Sequence, residues 1–157
     1  MIQIVKDADT RPWFFLQTAH TTYGMRVMET GHLEHLYYGE RITVDSQDPA
    51  SCAPLVIQRA FAPGNTCTYD REHPQISMED VCLEVGTLGK GDIREPFLEV
   101  RFADGSVTSD FTFDSYKIIT LKEREQCLQD SGLPHSYSEV ETDSAECLQI
   151  VLQDVTN

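Results

Sequence analysis

A chain of 157 residues, 40% of them apolar, is long enough for one globular domain and too short for two ordinary ones. Its net charge of −14 argues against nucleic acid and anionic membrane surfaces, both of which are held through lysine and arginine. Neutral or cationic ligands stay open, and the charge says nothing about fold.

Taken in order, the chain reads as strands separated by turns. Met1 to Val5 is a short β-type run ended by Lys6-Asp7-Ala8-Asp9, and Trp13 to Gln17 is strongly β-prone after Pro12. Thr21 to Ile42 organises the rest. Its first arm, Tyr23 to Met28, sets Tyr23, Met25 and Val27 on one face at period two. Glu29-Thr30-Gly31 supplies a turn in which Gly31 can take a positive φ, and the second arm runs from Leu33 to Tyr38 and ends at Gly39. Leu36, Tyr37 and Tyr38 send bulk to both faces, which predicts neighbours on both sides of that strand. Arg41 to Val44 continues the arm, and Asp45 to Ser51 is a loop dense in turn residues. Leu55 to Phe61 alternates as a strand, Pro63-Gly64-Asn65 turns, and Thr66 to Gln75 is irregular because Pro74 cannot join a ladder.

Val81 to Val85 reads as a further strand and leads into the glycine-dense Gly86 to Pro96. Phe97 to Phe102 alternates, Asp104-Gly105 is a hairpin signal, and Val107 to Thr120 is the return arm. Leu121 to Ser131 has only a thin apolar stripe and reads as a loop or short helix stopped at Leu133-Pro134. Glu146 to Asp154 is a final strand with Leu148, Ile150 and Leu152 inward. The total is nine or ten short strands and little helix, the pattern of an all-β antiparallel sandwich.

Chemistry-bearing motifs are sparse. No two of the five cysteines lie closer than 15 residues and no Cys-x-x-Cys exists, which points to free thiols in a reducing compartment. The amino end, with Lys6, Asp7 and Asp9 in its first ten residues, lacks the apolar run of a secretion signal, so the expected compartment is the cytoplasm. His32 and His35 are three apart, a spacing that puts them on opposite faces of a strand and is poor for a shared metal. Gly86 to Gly91 lacks the Lys-Ser/Thr of a phosphate loop and is read as a tight bend, with the Asp92 and Arg94 side chains bridging to neighbouring backbone. No Gly-x-Ser-x-Gly occurs, and no carboxylate pair stands out among so many. No metal or cofactor is implied. The loops Asp45 to Ser51 and Tyr69 to Gln75 carry residue types that stack on and hydrogen-bond to sugars, as ordinary loops also do.

Three blocks go further. They are Phe15-Leu-Gln-Thr18 with Tyr23-Gly-Met25 and Gly31 to Gly39; then Leu83-Glu84, Gly89-Lys-Gly91-Asp92-Ile-Arg94, Pro96 and Asp104-Gly105-Ser106; then Leu133-Pro134, Tyr137 and Cys147 to Asp154. In order and spacing they resemble the amino-terminal domain of the bacterial α-galactosidases of glycoside hydrolase family 36. Leu36-Tyr37-Tyr38-Gly39 and the segment holding Gly91, Asp92 and Arg94 are the more specific parts, as structural motifs. The resemblance implies a β-supersandwich, continuing past Asn157, ahead of a catalytic barrel that hydrolyses terminal α-galactosides such as melibiose and raffinose with retention and without a metal. Family nucleophile and acid/base aspartates lie in a Lys-Trp-Asp segment and after a Cys-x-x-Gly-Gly-x-Arg segment. Trp13 here stands between Pro12 and Phe14, and no Gly-Gly pair exists, so no catalytic residue is carried over. The implied reading is residues 1–157 as an excised piece of a longer hydrolase. Its expected partners are its own barrel, α-galactoside sugars and further copies of the chain. In several members a loop of this domain reaches a neighbour's active site, which makes Asp45, Asp48 and Ser51 the substrate-contact candidates. A stand-alone carbohydrate-binding or oligomerisation sandwich remains as an alternative.

Overall fold

The computed structural model describes residues 1–57, 68–120, 123–124, 126 and 146–156. Four strands, β1 (Ile2–Lys6), β2 (Pro12–Gln17), β3 (Thr21–Val27) and β4 (Leu33–Glu40), form an antiparallel meander in chain order. β5 (Phe111–Thr120) and β6 (Glu146–Asp154) pair as a second, two-stranded antiparallel layer.

Sequence chemistry sets each reversal of the meander. Between β1 and β2, Asp7 accepts hydrogen bonds from the Asp9 and Arg11 amides, and Arg11 closes the turn by pairing with Asp7 and Asp9. Pro12 is tolerated because it opens its strand. Thr18 and Thr21 join their hydroxyls at 2.7 Å across the next turn. Gly31 has φ +83 in the third, where its amide donates to Met28, as its turn role requires. A register shift at Gly24/Met25 leaves Leu36 unopposed in β4, so His35 and Tyr38 both face the side that carries Met25 and Tyr23.

β2 is the central strand and is buried on both sides. Phe14, Val27 and Leu33 meet Phe113, Tyr116, Leu148 and Leu152 of the second layer, and Phe14 stacks edge-on against Tyr116 at 5.1 Å. On the opposite face Trp13 and Phe15 pack with Val5, Val44 and Cys52 beneath the segment after β4. Phe14 and Phe15 are fully buried, and side chains of that size stabilise by about 1.5–3 kcal/mol each. The chain is therefore an all-β sandwich with opposed layers.

Six strands are present among the described residues, against the nine or ten expected. Residues 49–55, in place of a strand opening at Leu55, coil into a 3-10 helix with Pro49 at its start and Asp48 as its cap. Val81 to Val85 is reduced to one bridge between Leu83 and Glu34, with His35 and Glu84 amides completing the contact on the edge of β4. Phe97 to Phe102 makes only one parallel bridge, Leu98 to Thr87: alternation is present, but no layer lies over Phe97, which is 79% exposed. Arg41 to Val44 is likewise outside β4, although Ile42 still packs on the core. The expected turn at 63–65, most of the 121–131 segment, Leu133-Pro134, Tyr137, Cys67 and Cys127 lie outside the described residues.

Candidate functional site

The exposed loop after β4 is built on its own backbone. Asp45 accepts the Gln47 amide at 2.9 Å, and Asp48 accepts the Ala50 amide at 3.0 Å through its carboxylate. The Asp48 carbonyl accepts the Ser51 amide and, at 2.6 Å, the Ser51 hydroxyl. Cys52, directly after, is buried in the core and fixes the loop from below; burial pushes its thiol pKa up. The three candidate residues therefore share one ordered, solvent-facing loop. It offers carboxylate oxygens with lone pairs to spare, which suits accepting hydroxyl hydrogen bonds.

The other predicted motif residues hold structure. Leu36 packs on the core below the loop, Tyr37 donates its hydroxyl to the Glu40 carbonyl at 2.9 Å across Gly39, and Tyr38 is 70% exposed. Gly91 turns at φ +88 ahead of Asp92. Arg94 donates to the carbonyls of Met78 (3.0 Å) and Val81 (2.7 Å) and grips the Asp92 carboxylate twice. The Arg94 hydrogen bond holds the Asp92 pKa below its usual range. This is the expected bend, with the guanidinium rather than a phosphate as its occupant.

Two carboxylate clusters escaped the sequence reading. Asp110, 1% exposed, accepts from Tyr69 (2.8 Å) and faces the His32 ring at 2.7 Å, with Lys90 at 3.5 Å. Burial alone raises the Asp110 pKa, but the His32 and Tyr69 hydrogen bonds and the His32 and Lys90 charges outweigh it and hold the acid below its ordinary range. His32 meets Thr30 through its other nitrogen. Glu84 accepts from Tyr23 at 2.5 Å and meets His35 at 3.0 Å. Burial and these carboxylates push the Tyr23 and Tyr69 phenols up. The two histidines thus serve separate clusters, and His32 sits in the turn before β4. A carboxylate as enclosed as Asp110 clamps segments together and presents no face to a substrate. Its only trace in the sequence is the Ser109-Asp110 pair in an otherwise β-prone arm, and its partners lie 41 and 78 residues away.

A cleft of about 280 Å³ is lined by Arg11, Arg26, Glu29, Ser77 and Asp80. Its cations are already paired: Arg11 with Asp7 and Asp9, and Arg26 with Glu34 while lying over the Trp13 ring. Among the described residues no group of three His, Cys, Asp or Glu side chains is placed to hold a metal, and no helix is long and apolar enough to cross a membrane.

Residues 31–157 match the glycosyl hydrolase family 36 N-terminal domain. The chain belongs to that family. It is 34% identical over 142 residues to the bifunctional α-galactosidase/sucrose kinase AgaSK of Mediterraneibacter gnavus, covering 90% of this chain and 14% of that protein. It is 32% identical over 141 residues to the α-galactosidase AgaA of Geobacillus stearothermophilus, covering 90% of this chain and 18% of AgaA. The solved galactosidase domain of AgaSK superposes with a TM-score of 0.71 at 30% identity, over 98% of this chain and 20% of that one. The α-galactosidase of Lactobacillus brevis does so with a TM-score of 0.68 at 26% identity, over 96% and 18%. The family 36 domain described here thus spans a minor part of the length of these relatives, and the likeness to them covers the sandwich with its exposed Asp45–Ser51 loop.

Proposed function

We propose that residues 1–157 are the non-catalytic amino-terminal domain of an α-galactosidase, a retaining hydrolase of terminal α-galactosides such as melibiose and raffinose. The chemistry lies in a barrel outside these residues. The domain packs on that barrel, supports assembly of copies of the polypeptide, and lends the Asp45–Ser51 loop to substrate access. The reading is carried by the family match over residues 31–157 together with relatives that are α-galactosidases of which this chain spans 14% and 18%. A cytoplasmic setting fits the free thiols of Cys52, Cys82 and Cys147.

Sequencing the coding DNA past Asn157 tests the reading. A continuing frame with Lys-Trp-Asp and Cys-x-x-Gly-Gly-x-Arg segments, and raffinose hydrolysis by its product, is the expected result. A stop codon there leaves a free β-sandwich, and calorimetry with galactosides then decides whether it binds sugar. For the loop, Asp48→Ala in the whole enzyme should raise KM for raffinose. Unchanged KM and kcat would remove Asp48 from the substrate path.

A further inference from the structure

The segment from Leu88 to Leu98 combines two properties that rarely coincide: it is held rigidly, and it presents large apolar groups to solvent. Arg94 ties it to the carbonyls of Met78 and Val81, Asp92 receives both the Arg94 amide and its guanidinium, and the Leu98 amide donates to the Gly86 carbonyl. From this braced frame Ile93 and Phe97 project 84% and 79% exposed, beside the partly exposed Leu88 and Leu98. Phe97 also borders a hollow of about 200 Å³ whose lining includes Leu83, Gly86 and Arg94. Single exposed apolar side chains are ordinary, but a cluster around a rigid loop with a receiving hollow is the anatomy of an interface anchor. Bracing removes in advance the ordering entropy that docking would otherwise cost.

We propose that this loop is the surface through which the domain docks on the catalytic domain of the same polypeptide, with Ile93 and Phe97 as the anchors. The proposal rests on the reading that such a domain follows. Two observations select that occupant. Residues 1–157 correspond to 14% and 18% of the α-galactosidases they match, so most of the surface in such a molecule belongs to other parts of its chain. A second copy would instead bring another charge of −14 close by. Between Leu88 and Phe102 the charges are balanced, Lys90, Arg94 and Arg101 against Asp92, Glu95 and Glu99, so the patch itself repels neither sign. Intrachain domain contacts of about 600–1,500 Å² are of the size that a pair of such anchors with a polar rim serves.

The test places a photoreactive p-benzoylphenylalanine at position 97 of the complete polypeptide, with the same group at exposed Asp104 as control. The expected product runs at monomer mass, and its linked peptide lies beyond residue 157. A product found only at dimer mass, or none above the Asp104 control, overturns the proposal. In parallel, the double substitution Ile93→Asp and Phe97→Asp should lower the unfolding midpoint of the complete polypeptide by several degrees while leaving that of the 157-residue chain unchanged. Equal losses in both would show a purely local role and overturn it too. A frame that closes at Asn157, with no galactosidase activity, defeats the α-galactosidase reading itself. A continuing, active enzyme without the crosslink defeats only the docking surface.

Discussion

Asp110 and His32, 78 residues apart in the chain, face each other at 2.7 Å in the interior, where the carboxylate also receives the Tyr69 hydroxyl. The Asp110 amide reaches the Asp154 carboxylate at 2.9 Å, so this one residue gathers the β3–β4 turn, the Tyr69 segment and both strands of the second layer. An ionised carboxylate only accepts, so a neutral His32 ring satisfies both neighbours by donating from Nε2 and accepting the Thr30 hydroxyl at Nδ1. Asp110→Ala leaves His32 and Tyr69 unpaired in the core. It should cost about 3–5 kcal/mol, read as a lowered urea midpoint.

The same residue sets an acid dependence. Its pKa is depressed in the folded protein below an ordinary value of 3.8, so the unfolded chain takes up its proton first as pH falls. The stabilisation is therefore fully present above about pH 4 and is lost as pH drops through the lower folded value. Wild-type stability should fall more steeply below that pH than that of Asp110→Asn, as denaturant titrations at successive pH values will read. Parallel slopes would show that other acids govern the acid limb.

Phe14 lies at the contact of the two layers, fully buried, with its ring 6.3 Å from Phe113 and 5.1 Å from Tyr116. Phe14→Ala opens a cavity between a four-stranded and a two-stranded layer and should cost about 3–5 kcal/mol. Phe14→Leu should cost clearly less. Thermal unfolding of the two variants gives the comparison.

Arg94 is half-exposed, yet its planar fork reaches two carbonyls and one carboxylate together. Lysine carries the charge without the fork. Arg94→Lys should lower stability by about 1–2 kcal/mol, discounted from the usual value of charged hydrogen bonds for its solvent exposure. Hydrogen exchange should quicken selectively around Met78 to Val81 and Asp92.

Two glycines with similar backbone angles should respond differently to alanine. Gly89 (φ +104) would set its new Cβ 2.7 Å from the Thr108 hydroxyl oxygen and 3.1 Å from the Thr108 Cβ, whereas Gly105 (φ +89) has nothing within 4 Å. Gly105→Ala meets only the left-handed backbone penalty of about 1–2 kcal/mol. Gly89→Ala adds a steric displacement of Thr108 and should be the more destabilising in thermal unfolding. Equal losses would mean that Thr108 moves aside freely.

What the sequence determined by itself is local. Period-two apolar runs and the turn chemistry of Asp7, Gly31 and Asp104-Gly105 need only neighbours along the chain, so β1 to β4 and the final strand Glu146 to Asp154 were legible, as was the sandwich class. The family was legible because Leu36 to Gly39 and Gly91 to Arg94 are contiguous motifs. Their roles followed once the core below Leu36 and the Arg94 contacts were in view. Only the tertiary structure decided the rest. Phe97 to Phe102 has strand-like alternation but no ladder beyond Leu98, because pairing depends on a partner edge that periodicity does not encode. Leu36 and Tyr38 take their faces from a register shift, which a strict period of two mispredicts. The clusters around Asp110 and Glu84 join residues 41 to 78 and 49 to 61 positions apart, and hydrogen bonds over such separations exist only after the layers have closed.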